Sequence, residues 1–173
     1  FCCLLVGVNT GKYTQTGKRM WVEKEYYYDP KVMGRQKTNS EFAEDVYNFL
    51  EPYSVKQLYI DPSAASFKLE LQRKGIHCVD ANNDVENGIQ IMTAQMKMGN
   101  LYICAECVNT IREIETYVWD PKKALQGEDA PLKKEDHACD TLRYICASHK
   151  VSSPSSYNHN PNEYLRNRYQ ITR

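Results

Sequence analysis

The chain has 173 residues with 22 basic and 22 acidic side chains, so its formal net charge at pH 7 is zero. This length suits one domain with a buried core, and the balanced charge excludes a global electrostatic attraction for nucleic acid, although local basic patches can still bind it. No apolar run reaches the length of about 18 residues that a membrane-spanning helix needs, and the apolar start lacks the basic residues of a signal peptide. The seven cysteines are therefore expected to be free thiols in a reducing compartment.

Apolar periodicity predicts that strands and helices alternate along the chain. The predicted strands cover residues 1–8, 20–28, 55–60, 76–79 and 101–104. The predicted helices cover residues 40–50, 62–74, 84–98, 107–117 and 136–149. The first two strands predict an antiparallel hairpin, and the later alternation predicts an α/β fold with a mixed central sheet flanked by helices on both faces. Residues 1–150 are expected to form this domain, and residues 151–173 a C-terminal loop or tail.

Several boundaries of these elements are predicted from capping and turn residues. Asn39 or Ser40 is expected to cap the first long helix without the acid of a full capping box. Pro62 is expected at the first position of the next helix, and Gly75 just after its last turn. The polar stretch between residues 121 and 134 is expected to be a loop.

Two acids and a histidine are the strongest candidates for a functional site. Asp61 closes a short apolar run, so a buried strand is expected to end in a carboxylate. His137 and Asp140 lie three residues apart on a predicted helix and therefore share one face. Carboxylate oxygens are the ligands that Mg²⁺ and Mn²⁺ prefer, and two such cations can clamp both oxygens of a phosphodiester displacement. With no compensating lysine close in sequence, these groups are expected to repel one another until a cation binds.

The same residues also have structural interpretations. Asp61 could cap a helix, and Asp140 could interact with a helix dipole. Arg143 is expected to pair with an acid one turn away. Cys104 and Cys107 form a CxxC that suggests zinc, but no second CxxC follows, and small core residues are the favoured interpretation.

Five motifs occur in an order that identifies a family. They are Tyr59–Ala65, Leu71–Ile76, Asn82–Ile89, Ile111–Asp120 and Asp136–Tyr144. This series resembles the nuclease domain of the large terminase subunit of tailed double-stranded DNA bacteriophages, over roughly residues 21–149. The resemblance implies an RNase H-like fold and a metal-dependent endonuclease that cuts concatemeric double-stranded DNA during genome packaging in the host cytoplasm. It implies a two-metal site for Mg²⁺ or Mn²⁺ with Asp61 and Asp140 as ligands, and His137 as a ligand or proton shuttle.

The resemblance also implies parts that this sequence does not show. The family nuclease uses three acids, and the first lies on an opening strand; Phe1 begins what resembles the second strand, so the first acid is expected upstream of it. Glu25 is a further candidate ligand, because a carboxylate at this end of the family's third strand can lie near the metals. No P-loop motif occurs, so the ATPase domain of the packaging motor is expected on a segment outside this chain. The small terminase subunit and the portal are the other implied partners.

Four lysines near the predicted site helix are candidates for DNA contact: Lys122, Lys123, Lys133 and Lys134. They are expected to bind the DNA backbone as point charges, and a solvated loop is the alternative interpretation. Two other functions stay open. One is an RNase H-like scaffold without catalysis that holds DNA or docks a partner, which the absent first acid supports. The other is a resolvase- or integrase-like nuclease of the same fold, against which the ordered motifs argue.

Overall fold

The computed structural model describes residues 1–9, 19–128 and 130–149. The strands are β1 (Cys2–Asn9), β2 (Arg19–Tyr27), β3 (Tyr59–Ile60), β4 (Val79–Asp80) and β5 (Leu101–Ile103). The helices are α1 (Pro30–Met33), α2 (Asn39–Leu50), α3 (Ala65–Arg73), α4 (Val85–Lys97), α5 (Val108–Glu115), α6 (Pro121–Ala124) and α7 (His137–Ser148). The expected C-terminal tail and the turn of the opening hairpin lie outside the described residues.

The strands form two sheets in the described part of the chain, where the sequence predicted one central sheet. One sheet has the order β1-β2-β5, with β1 antiparallel and β5 parallel to β2. The other pairs β3 with β4 in parallel. The antiparallel hairpin is confirmed, and its register shifts between Leu5 and Val6, a β-bulge that places two β2 residues against one β1 position. The strand predicted over residues 55–60 shortens to Tyr59–Ile60. Val55 is exposed, so the apolar run that predicted the longer strand is not buried along its whole length.

Two apolar clusters hold the helices against the sheets. The first joins β2 and β5 to α4 and α7, through Met20, Val22, Met92, Leu101, Cys107, Leu142 and Cys146. The second joins β1 and β3 to α2 and α3, through Cys3, Ala43, Val46, Ile60 and Leu71. Cys107 is fully buried in the first cluster, in agreement with the structural interpretation of the CxxC. All seven cysteines are free thiols.

Several predicted boundaries change once backbone hydrogen bonds are visible. Thr38 caps α2, one or two positions before the expected cap. Its side chain and that of Glu41 form a complete capping box, so the prediction of a cap without an acid was wrong. Pro62 lies in the turn after β3, and α3 begins only at Ala65. The backbone N–H of Ser63 donates to the Asp61 side chain, and this contact forms a turn before the helix. The expected loop after residue 121 contains the short helix α6.

Two further features of the elements follow the sequence more closely. Gly75 follows α3 in the left-handed conformation (φ 75°), as expected of a residue just past a helix. None of the described helices is both long enough and apolar enough to cross a membrane.

Candidate functional site

A cavity of about 790 Å³ lies between the edge strand β1 and the strand β3. Helix α7 packs against both strands and closes one side of this cavity, while α2 and α3 contribute to its apolar wall. Asp61, His137 and Asp140 all line it. The structure therefore brings together the three residues that the sequence selected from segments more than 70 positions apart.

Asp61 lies directly after β3, and its carboxylate is held from two sides. Its Oδ1 accepts hydrogen bonds from the backbone N–H and the hydroxyl of Ser63, at 2.8 and 2.7 Å. Its Oδ2 accepts one from the hydroxyl of Tyr144 on α7, at 2.7 Å. Burial alone would raise the pKa of Asp61, but the hydrogen bonds from Tyr144 and Ser63 outweigh it, and the pKa lies below its usual value. Asp61 is therefore a carboxylate at neutral pH, fixed in direction toward α7.

Asp140 lies between two cations on the first turn of α7. Arg143 donates to Oδ1 from Nε and Nη2, at 3.3 and 3.1 Å, which confirms the pairing expected one turn away. Lys133 donates to Oδ2 at 3.1 Å. The expected repulsion among uncompensated groups was therefore wrong, because the loop before α7 folds a lysine back onto the acid. The left-handed backbone of Glu135 (φ 50°) accompanies this fold of the loop.

Arg143 was expected to pair with an acid one turn away, but its burial and its contacts with other segments were not predicted. Its side chain is only 1% exposed, and its guanidinium also donates to the Asp84 backbone oxygen and the Asn83 side chain. Gly88 on α4 leaves room for it, since a Cβ at that position would approach Arg143 Cγ to 2.6 Å. Arg143 thereby ties Asp140 to the start of α4. In the sequence, only the three-residue spacing from Asp140 pointed to a role for Arg143.

Glu113 is a residue that the sequence missed, and it holds the N-terminus of α7. It is 1% exposed, and its Oε2 accepts hydrogen bonds from the backbone N–H groups of Ala138 and Cys139, at 2.6 and 3.2 Å. Its Oε1 accepts from the hydroxyl of Tyr27 at 2.6 Å, and burial together with this bond raises the pKa of Tyr27. A buried carboxylate at a helix N-terminus compensates two unpaired backbone donors and the helix dipole. Glu113 thus fixes the helix on which His137 and Asp140 lie.

We expect Glu113→Gln to lower the free energy of unfolding by roughly 1–3 kcal/mol, because the amide group must face either Tyr27 or the α7 backbone donors. Urea unfolding at pH 7 measures it. Glu115→Gln on the same helix is the matched control, since Glu115 is exposed and its substitution should be nearly neutral. Equal effects of the two substitutions would contradict the assigned role of Glu113.

The remaining predicted site residues do not line the cavity. Glu25 accepts four hydrogen bonds, from the backbone and side chains of Asn109 and Thr110, so both its oxygens bind the start of α5. Burial alone would raise the pKa of Glu25, but these hydrogen bonds lower it. Lys123 pairs with Glu128, and the side chains of Lys122 and Lys134 are exposed. Lys133 is the one of the four predicted DNA-binding lysines that contacts a residue of the cavity.

The donor set around the cavity suits a hard divalent cation that keeps much of its water. Asp61 and Asp140 offer carboxylate oxygens, and exposed His137 offers a ring nitrogen. No group of three such side chains within the described residues is close enough to enclose a metal. Mg²⁺ is usually bound through one or two carboxylates and several waters, so two acids on an open cavity match its preference.

Comparison with known proteins agrees with this fold. The family model described as "Terminase RNAseH like domain" matches residues 7–148. The large terminase subunit of Escherichia phage T5 is 25% identical over 148 residues, which are 81% of this chain and 34% of that protein. The large terminase of a thermophilic bacteriophage in complex with ADP is 39% identical, with a TM-score of 0.71, over 74% of this chain and 33% of that one. The complex of the same terminase with ATP-gamma-S is 38% identical, with a TM-score of 0.72, over 75% of this chain and 34% of that one.

The chain therefore spans about a third of the length of these relatives. The motif series had predicted the same family, and that prediction is confirmed over nearly the same residues. The RNase H-like fold agrees with the mixed α/β arrangement of small sheets and packed helices. Since the family model covers well over half of the sequence, this chain belongs to the RNase H-like domain family of bacteriophage large terminase subunits.

Proposed function

We propose that this domain is a metal-dependent endonuclease that cuts concatemeric double-stranded DNA during phage genome packaging. The observation that carries the proposal is the meeting of Asp61, His137 and Asp140 at one cavity. Two carboxylates that can bind Mg²⁺ or Mn²⁺ and an imidazole that can move a proton support phosphodiester hydrolysis at this cavity. The ATPase domain, the small terminase subunit and the portal are the partners that this function needs.

Each of these side chains has a role in the proposed reaction. Asp61 and Asp140 would hold divalent cations, which when bound supply positive charge at the scissile phosphate and a more acidic water. Tyr144 keeps the Asp61 carboxylate directed toward α7. His137 would take a proton from the attacking water or give one to the leaving 3′ oxygen, since an exposed imidazole can act as a general acid or base.

A third acid would complete this set on an extended segment between β1 and β3. Both strands are sheet edges toward the cavity, and a strand there could pair with each of them and join the two sheets into one. Its carboxylate would then lie beside Asp61. Cleavage assays should therefore use a polypeptide that carries this chain together with such an opening strand.

The proposal predicts that Mn²⁺ raises the melting temperature of the protein. A ligand of the folded state stabilises it by mass action, by about 2.7 kcal/mol at a concentration of 100 times its Kd. Thermal unfolding is followed with and without millimolar Mn²⁺, and Asp61→Asn is the matched variant in which the shift should shrink. A melting temperature that does not respond to Mn²⁺, in a parent protein that also carries the strand with the third acid, would refute the metal-dependent nuclease.

A DNA-holding or docking module without catalysis is the second candidate function. It is favoured by the lack of three clustered metal-binding side chains among the described residues. Under this alternative the protein would bind duplex DNA equally well with and without Mn²⁺, and its melting temperature would stay constant. The melt just described separates the two functions.

A further inference from the structure

Lys133 differs from the other lysines near α7 in what it touches. Its Nζ lies 3.1 Å from Asp140 Oδ2 and 3.1 Å from Asp136 Oδ2, so one ammonium group bridges two carboxylates. Asp136 is buried, and among the described residues its Oδ2 accepts no well-aligned hydrogen bond, so Lys133 balances it by charge. Asp140 Oδ2 is also the oxygen that Arg143 leaves unbound. Lys133 therefore occupies the oxygen of Asp140 that is available to a cation.

The two cations on Asp140 differ in mobility. Arg143 is 1% exposed and holds three groups at once, so it is fixed in place. The side chain of Lys133 is 63% exposed, and its flexible stem gives its ammonium group freedom to move. A divalent cation at Asp140 Oδ2 would strongly repel an ammonium group only a few ångströms away. It would displace Lys133 and leave Arg143 in position.

We propose that Lys133 holds the cation-binding oxygen of Asp140 in the metal-free protein, leaves it when a divalent cation binds, and then contacts a phosphate of the DNA. Asp136 keeps the lysine beside the cavity after it leaves Asp140. The same side chain thus couples metal binding to DNA binding, because its charge becomes available to phosphate once Asp140 is satisfied by the metal. This inference rests on the proposed metal-dependent function of the cavity.

The first arm of the test measures Mn²⁺ affinity without DNA, by isothermal titration calorimetry. Lys133→Gln removes the competing ammonium group and should tighten Mn²⁺ binding by roughly two- to fivefold, the scale of an exposed ion pair. Lys134→Gln removes the same charge from the neighbouring position, where the described structure shows no ion pair, and should leave the affinity unchanged. Urea unfolding of both variants verifies that they are folded.

The second arm measures binding of a short duplex by fluorescence anisotropy at several salt concentrations, with the duplex checked for integrity on a gel. In Mn²⁺, Lys133→Gln should reduce the slope of log affinity against log salt by about one phosphate contact, and without Mn²⁺ it should change the slope little. A slope in Mn²⁺ equal to that of the parent protein would overturn the DNA contact.

The outcomes of the first arm separate this inference from the proposed function. If the parent protein binds Mn²⁺ and Lys133→Gln binds it with equal affinity, the displacement of Lys133 is overturned while the metal site stands. If Lys134→Gln tightens binding as much as Lys133→Gln, a general loss of positive charge explains both and the specific role is overturned. If no variant binds Mn²⁺, the metal site itself is refuted, and the inference with it.

Discussion

Replacing either Asp61 or Asp140 by asparagine is expected to abolish metal-dependent cleavage of supercoiled plasmid. The amide keeps the shape of the carboxylate but removes the charge that a hard divalent cation needs. The effect should be a loss of activity to background at saturating Mn²⁺. The measurement is the rate of nicking and linearisation followed on agarose gels.

The two substitutions should differ in their effect on stability, and the structure reverses the expectation from sequence for one of them. If the site acids only repelled one another, as the sequence led us to expect, removing either charge would leave the protein as stable as the parent or more so. Asp61→Asn should indeed be close to neutral, because the amide oxygen can still accept from Ser63, the Tyr144 hydroxyl can turn to accept from the amide N–H, and the half-buried site admits water. Asp140→Asn keeps an acceptor for Arg143 but removes the charge that compensates it, and we expect a loss of roughly 1–3 kcal/mol in the free energy of unfolding.

Asp80→Asn is the control for both variants, because Asp80 also lies at the end of a parallel strand but does not line the cavity. It should cleave plasmid at the parental rate. Activity of Asp140→Asn is to be assayed at a temperature where unfolding shows that the variant is folded. Nicking at the parental rate by either cavity variant would remove that acid from the proposed ligand set and favour its structural interpretation.

Substituting His137 by alanine is expected to slow cleavage by roughly two to four orders of magnitude if the imidazole transfers a proton. His137 is exposed at the first turn of α7, on the cavity side and one turn from Asp140. Its removal should change stability little, since the described fold does not bury it. The measurement is the single-turnover cleavage rate at saturating Mn²⁺, with His77→Ala as an exposed histidine outside the cavity for comparison.

A Mn²⁺ titration of the cleavage rate separates the two roles of His137. Loss of a metal ligand is compensated by more metal, whereas loss of a proton carrier is not. We expect the alanine variant to be rescued only in part, because the carboxylates already provide the hard oxygen ligands that these cations prefer. A variant as active as the parent would exclude His137 from the reaction.

The sequence by itself determined the elements that carry the site. The apolar run before Asp61 and the three-residue spacing of His137 and Asp140 are local patterns, and local patterns follow from backbone periodicity. The order of the motifs also identified the family. These patterns selected three residues that line one cavity in the structure, and their part in a reaction stays a prediction.

Only the tertiary structure decided which groups compensate the charges of the site residues and hold them in place. Glu113 lies between Arg112 and Ile114 on an amphipathic helix, where an acid is expected to face solvent, yet it is buried and binds the start of α7. Lys133 reaches Asp140 because the intervening loop folds back, and Arg143 is buried because Gly88 leaves space on another helix. Some of these hydrogen bonds and ion pairs join segments far apart in sequence, and others depend on the conformation of a loop. The periodicity of apolar residues encodes neither the distant contacts nor the loop conformation.

Local sequence patterns also could not predict that the strands form two sheets. Sequence alternation predicted strands and one central sheet, but which edges pair depends on what lies between them, and β1 and β3 face each other across a cavity. Strand propensity describes how a segment fits a sheet and leaves its neighbour undetermined, because pairing is fixed by side-chain packing between segments distant in the chain. The sequence thus determined which segments carry the candidate site residues, and tertiary packing decided their partners and the charge that surrounds Asp140.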